Sequence, residues 1–145
     1  MRCRKVDIEM QIRAFEMTDY DTVIALWQAA GILLSRSDDR AGILHKLERD
    51  PDLFLVGIEK DALVGAVMGA YDGRRGWVYH LAVHPEHQGR GFGAALLTQV
   101  EARLRSKGCQ KINILIEPEN AHVQHFYEKL NYQRDDLIFM EKWLL

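Results

Sequence analysis

Apolar positions recur along the chain with two periods, two residues and about 3.6, and the switches between them mark out the elements. Gln11–Phe15 alternates like a short strand. Thr18 is a suitable N-cap for a helix carrying Val23, Ile24, Leu26 and Trp27, which Gly31 stops. Ser37 or Asp38 caps a second helix with Ile43, Leu44 and Leu47, ending before Asp50-Pro51. Leu53–Glu59, Ala62–Tyr71 and Trp77–Val83 are rich in β-branched and aromatic residues, and Lys60-Asp61 and Asp72-Gly73 separate them at hairpin spacing. An antiparallel meander is predicted there. In Gly91–Lys107 the period becomes helical through Phe92, Leu96, Leu97, Val100 and Leu104, and Gly108 closes the run. Lys111–Ile116 reads as a strand, Asn120–Leu130 as a helix capped by Asn120, and Tyr132 onward as a final strand or pair of strands. The expected architecture is one α/β (α+β) domain: a mixed, mostly antiparallel sheet of about six to seven strands flanked by about four helices.

Composition narrows the class. The chain has 145 residues, enough for one domain, and its 48% apolar and 28% charged content is that of a globular protein. A net charge of −2 gives no reason to expect nucleic acid or an anionic membrane as partner. Cys3 and Cys109 have no framework spacing, so a reduced compartment is expected. Residues 1–9 are basic but lead into no apolar signal core, and no apolar run is long enough to span a bilayer. The expectation is a cytoplasmic protein, monomer or homodimer, with 1–9 a dispensable extension and 10–145 the domain.

The most informative stretch is Val83-His84-Pro85-Glu86-His87-Gln88-Gly89-Arg90-Gly91-Phe92-Gly93. A strand ends, three glycines follow at alternate positions, and a helix begins. Glycines let backbone N–H groups approach a ligand, and with the positive end of a helix dipole they form an anion site suited to a pyrophosphate. Arg90 is placed to add a charge-assisted hydrogen bond. Gly89-x-Gly91-x-x-Ala94 also satisfies the dinucleotide fingerprint, with Glu117 where a ribose-binding acid would sit. That alternative fails on context. The preceding strands look antiparallel, and only 28 residues follow Glu117.

Gln88-x-x-Gly91-x-Gly93 resembles the Q/R-x-x-G-x-G/A motif of the GNAT-superfamily N-acetyltransferases. Leu81-Ala82-Val83-His84-Pro85 looks like that family's fourth strand, and Asn120 with Tyr127 seven residues on resembles its second motif, with Asn131-Tyr132 in place of the usual Gly-Phe. Met68–Gly73 and Lys107–Ile112 look like the bacterial YpeA-type subgroup. The resemblance implies an acetyltransferase moving an acetyl group from acetyl-coenzyme A to a primary amine, on a small molecule or a protein, by direct attack. It implies coenzyme A contacts at Leu81, Ala82, Val83, Gln88, Gly89, Arg90, Gly91, Phe92, Gly93 and Asn120. Tyr127 becomes the general acid that protonates the thiolate.

The base is not evident. Positions where relatives carry Glu or His hold Trp77, Tyr79 and Leu115, leaving Glu117 and Tyr79 as candidates for a water-relayed base. His80 has the opposite parity to Tyr79 and on a regular strand points away from the acceptor side. His80, His84, His87 and the i,i+3 pair His122 and His125 lack metal-site partners, so no metal is expected. The acceptor region falls on the first two helices and their connection, with Trp27, Leu33, Leu34, Arg36, Asp38, Asp39 and Arg40. Two non-enzymatic functions compete, a non-turning-over acyl-coenzyme A sensor and an interaction module on the same fold.

Overall fold

A computed structural model describes residues 10–145, and the expected extension 1–9 lies outside the described residues. These residues form two compact units, one ending at Leu115 and a second, Ile116–Leu145.

The first unit contains five strands, β1 (Gln11–Ala14), β2 (Phe54–Glu59), β3 (Ala62–Tyr71), β4 (Gly76–Val83) and β5 (Ile112–Ile114), arranged in sequence order. The first four pair antiparallel, and β5 joins β4 in parallel. Lys60 and Asp61 both take left-handed φ values, 48° and 65°, as a two-residue hairpin requires. At the next turn Asp72 Oδ1 accepts the N–H groups of Arg74 and Arg75, each at 2.7 Å. Both hairpins stand where the turn residues put them.

Helices α1 (Tyr20–Ala29) and α2 (Arg40–Arg49) cover one face of the sheet. Their caps lie one residue later than the pattern suggests: Asp19 precedes α1, and the Asp39 side chain accepts the Gly42 N–H at 2.7 Å. Trp27 and Phe54 are fully buried and stack at 5.9 Å, with Phe15 on Phe54 at 4.1 Å. Helix α3 (Phe92–Ser106) buries Phe92, Leu96, Leu97, Val100 and Leu104, the five positions its period marks. It rests on the other face. A Cβ on Gly65 would lie 2.8 Å from Leu96 Cδ1, and one on Gly69 would lie 3.0 Å from Val100 Cγ1, so two glycines of β3 set how closely the helix approaches.

The second unit holds a 3-10 segment, Pro118–Val123, and a short helix, α4 (Gln124–Lys129). The helix expected over Asn120–Leu130 starts four residues late, because Asn120 leaves helical geometry at φ −106°, ψ 21°. Asn131 takes the left-handed C-terminal position, φ 70°, that suits asparagine. No strand forms after Tyr132 among the described residues, so the sheet has five strands rather than six to seven. The tail alternates poorly, with Leu137–Met140 apolar throughout, and such a run does not present one face to a core.

Gly69→Ala should cost about 1–3 kcal/mol in urea unfolding, since its Cβ overpacks against Val100 and the Leu53 carbonyl. Combined with Val100→Ala, the loss should fall short of the sum of the singles by at least about 0.5 kcal/mol. Full additivity would place the contact elsewhere.

Candidate active site

Strand β4 contains one residue too many for its partner. Ala66 faces Ala82 and Met68 faces Tyr79, so Val67 alone opposes His80 and Leu81. His80 takes the extra step in the left-handed region, φ 48°. This β-bulge resets the alternation. Tyr79 and Ala82 face the same side as their partners Met68 and Ala66, which is the α1–α2 side, and His80 turns to that side too, against Trp27 of α1. The outward orientation expected of His80 is thereby corrected.

The sheet also ends early on its far edge. β5 pairs with β4 only at Gly76, Trp77 and Val78, leaving Tyr79–Val83 without a strand on that side among the described residues. An extended ligand can add there as an extra strand, using the unpaired backbone groups. Leu81, Ala82 and Val83, the expected coenzyme A contacts, lie in this open segment.

The glycine-rich loop follows directly. Pro85–His87 forms a 3-10 turn capped by His84, whose Nδ1 accepts the Glu86 N–H at 3.2 Å. The Gln88 side-chain amide donates to the Val83 carbonyl at 3.0 Å, bracing the loop on the strand end. Gly89 (φ 78°) and Gly91 (φ 84°) both take left-handed geometry, and Gly91 is the N-cap of α3. Gly91 has no side chain to cap the helix, so the first-turn N–H groups remain open for an anion. Phe92 is 1% exposed. Its ring anchors the helix, and only its backbone is available to a ligand.

Arg90 departs from its expected use. Its Nη1 donates to Glu59 Oε1 at 2.8 Å, and its guanidinium lies 4.6 Å from the Phe92 ring centre. Glu59, at the end of β2, is buried, and its Oε2 has no hydrogen-bond partner. The Arg90 hydrogen bond holds this carboxyl below the usual glutamate range, against the opposing effect of burial. The pair ties the loop to the sheet.

His80 makes the most elaborate contacts near the strand. Its ring lies 4.7 Å from Trp27, its carbonyl accepts the Trp27 indole N–H at 3.2 Å, and its Nε2 lies 3.0 and 3.2 Å from the two oxygens of Asp38. Asp38 sits in the 3-10 turn Arg36–Asp38 before α2 and is buried. Burial raises its pKa, but hydrogen bonds from His80 and the Ser35 N–H outweigh it and leave the carboxyl below its ordinary value. Tyr79 stacks on Trp77 at 6.4 Å, and partial burial with the Asp72 charge pushes its phenol upward, away from service as a base at neutral pH. Among the histidines weighed for a metal, His84 and His87 join Glu86 with ligand atoms within 4.8 Å of one another. His87 Nδ1 is also 3.5 Å from Arg90 Nη1, so a cation there would compete with the guanidinium.

In the second unit, Asn120 lies within the 3-10 segment, its N–H bonded to the Glu117 carbonyl at 2.8 Å. Glu117 is the exposed residue preceding that segment, with no side-chain cap bond. Tyr127, on α4, packs edge-on against Phe126 at 5.1 Å and Tyr132 at 5.7 Å. Burial pushes its pKa up to about 12.

The model of the acetyltransferase (GNAT) family matches residues 15–132. The chain belongs to this family. An acetyltransferase of Yersinia enterocolitica is 44% identical over 136 residues, covering 94% of this chain and 96% of its own length. One from Pectobacterium atrosepticum is 43% identical with the same coverage. Among solved structures, Ard1 from Thermoplasma volcanium superposes with a TM-score of 0.80 at 21% identity, covering 89% of this chain and 86% of its own. The PaiA N-acetyltransferase from Thermoplasma acidophilum, in complex with coenzyme A, gives 0.79 at 19% identity, covering 90% and 94%. Membership makes the protein an acetyltransferase, and no helix among the described residues is long and apolar enough to cross a membrane.

A reading of the sequence as regular strands and loops names Asp38 as a cap and an acceptor-region residue but does not bring it to His80. Asp38 had a signal: Ser35-x-x-Asp38 is a capping-box spacing, and both reciprocal bonds form. The contact between His80 and Asp38 had none, because nothing in Trp77–Val83 marks a bulge. Tyr127 supports a test of its own. The unfolded chain ionises a tyrosine near pH 10, before the folded protein does, so stability falls as pH rises from about 10 toward about 12. Between pH 10 and 11, wild type should lose about 1 kcal/mol more than Tyr127→Phe in urea unfolding. Parallel losses would mean the phenol is not held neutral.

Proposed function

We propose that this acetyltransferase binds acetyl-coenzyme A along β4 and the Gln88–Gly93 loop, and passes the acetyl group to a primary amine by direct attack. The observation that carries the reading is the continuity of two backbone sites. The open edge at Tyr79–Val83 runs straight into the uncapped N-terminus of α3. An extended pantetheine arm pairs with the first, and a pyrophosphate is taken by the second. A solved neighbour of the same fold is described in complex with coenzyme A. A backbone N–H near Val83 polarises the thioester carbonyl, Asn120 contacts the cofactor, and Tyr127 supplies the thiolate with its proton. A phenol with a pKa of about 12 is protonated throughout the working range. It serves as a relay, giving its proton to sulfur as it recovers one from the acylated nitrogen. Met68–Gly73 and Lys107–Ile112 favour placing the enzyme in the YpeA-type subgroup.

The loop is tested at Gly89, where φ is 78° and a Cβ meets nothing within 4 Å. Asn and Asp are the side chains that best tolerate this region. Gly89→Asp and Gly89→Asn should therefore both fold, differing in one carboxylate charge. At a hundred times its dissociation constant, acetyl-coenzyme A should stabilise wild type by roughly 2.7 kcal/mol. Gly89→Asn should keep most of that gain, and Gly89→Asp should lose it. Equal shifts in both variants would move the pyrophosphate away from this loop. For the chemistry, Tyr127→Phe should lower kcat by about 10²–10⁴ with little change in KM. Binding without thiol release from any amine would make the protein an acyl-coenzyme A sensor.

A further inference from the structure

We propose that His80, oriented by Asp38, is the group that takes the proton from the acceptor amine. The proposal rests on the acetyl-transfer reading above and adds the base which that reading lacks. His80 Nε2 lies 3.0 and 3.2 Å from the carboxylate oxygens of Asp38. A carboxylate only accepts, so Nε2 carries the hydrogen, and it is Nδ1 that holds the lone pair in the neutral ring. Nδ1 bonds no protein atom among the described residues. One side of the ring is tethered and the other is free, the arrangement a base needs.

Asp38 is built to hold that tautomer. It is 7% exposed, its Oδ2 accepts the Ser35 N–H at 2.9 Å, and its carbonyl accepts the Tyr20 hydroxyl at 2.8 Å. Asp38 is the charged group bonded to the ring and Tyr79 is its titratable neighbour on β4; Arg36 belongs to the same 3-10 turn as Asp38, and one step out on α1 and α2 Tyr20 has Arg40 4.6 Å from its ring centre. Trp27 lies 4.7 Å from the ring, between ring centres, and carries no charge.

Position supports the same role. His80 immediately precedes Leu81-Ala82-Val83, the open edge along which the thioester is placed. Its ring faces α1 and the connection to α2, where the acceptor is expected. A left-handed histidine is strained by about 1 kcal/mol or more relative to glycine. A bulge serving only to bend the strand would be met more cheaply by glycine.

The protons balance as follows. Nδ1 removes one proton from the ammonium form of the acceptor. The freed amine attacks the thioester carbon, the N–C bond forms and the C–S bond breaks. The second nitrogen proton reaches the thiolate through the acid, giving the amide and free thiol, and His80 returns its proton to water.

His80→Asn tests this, since asparagine tolerates φ 48° and has no basic nitrogen. Thiol release from acetyl-coenzyme A would be followed with spermidine, glycinamide and Nα-acetyllysine amide, from pH 6 to pH 10. At pH 7 the variant should show kcat/KM about a hundredfold below wild type, with the acetyl-coenzyme A thermal shift retained. The gap should narrow as pH approaches the amine's own pKa, and added imidazole should restore part of the rate. Asp38→Asn should give a partial loss and an altered pH profile, and nitrogen-15 NMR of wild type should show Nδ1 unprotonated. A pH-independent gap, or a variant within threefold of wild type at pH 7, would overturn the proposal and leave acetyl transfer standing. A wild type that binds acetyl-coenzyme A but accepts none of these amines also overturns it. Failure to bind acetyl-coenzyme A removes both readings.

Discussion

One extra residue in β4 decides what the first unit can do. Without it, β4 would run in register with β3 along its whole length, and His80 would alternate away from α1. With it, His80 occupies a left-handed position at φ 48° and its ring joins Trp27 and Asp38 on the α1–α2 face. Pairing with β5 stops at Val78, and the following five residues keep a free edge. A bulge is a local loss of ladder hydrogen bonds. Here the loss is offset by the Trp27 N–H on the His80 carbonyl and by the ion-dipole contacts to Asp38. The same interactions that stabilise the irregularity fill the space beside the open edge with a polar pair.

The loop after β4 depends on that strand in turn. Gln88 holds the Val83 carbonyl and Arg90 holds Glu59, so two side chains of the motif look inward rather than toward a ligand. This leaves backbone N–H groups as the anion-binding surface of the proposed site. The buried Glu59 carboxylate is neutralised by the Arg90 guanidinium at 2.8 Å. The arrangement is rigid for a reason that begins on the opposite side of the sheet. α3 approaches β3 closely at Gly65 and Gly69, and the helix whose N-terminus forms the site cannot tilt without striking the strand.

Much of this is legible in the residues. The period of Phe92 to Leu104 gives α3 and its buried face, Lys60-Asp61 and Asp72-Gly73 give the turns, and the three alternating glycines give the strand-loop-helix junction. What is not legible depends on pairing between distant segments. A bulge is a property of two strands in register, and Trp77–Val83 contains no glycine to announce one. The His80–Asp38 contact joins residues 42 apart. The late start of α4 has a local cause, the kink at Asn120, which an N-cap reading of asparagine cannot distinguish from a cap. The strand or pair of strands expected from Tyr132 onward does not form among the described residues, since apolarity without alternation, as in Leu137–Met140, does not specify pairing.

The first unit divides its tasks by atom type. In the proposed reading, recognition of a long, charged co-substrate falls to the backbone, the edge of β4 and the first turn of α3. Backbone geometry there is set by a bulge, left-handed glycines and the seating of a helix, so it survives wide change in the exposed side chains. The proton transfer proposed for His80 falls instead to side chains, and those are held far more tightly: Asp38 is buried and bonded through both its side chain and its carbonyl, and His80 is fixed from Trp27 and Asp38 together. The exposed Leu33 and Leu34, between α1 and α2, carry neither constraint. They are the positions at which the acceptor side can change without disturbing either the strand edge or the proton path.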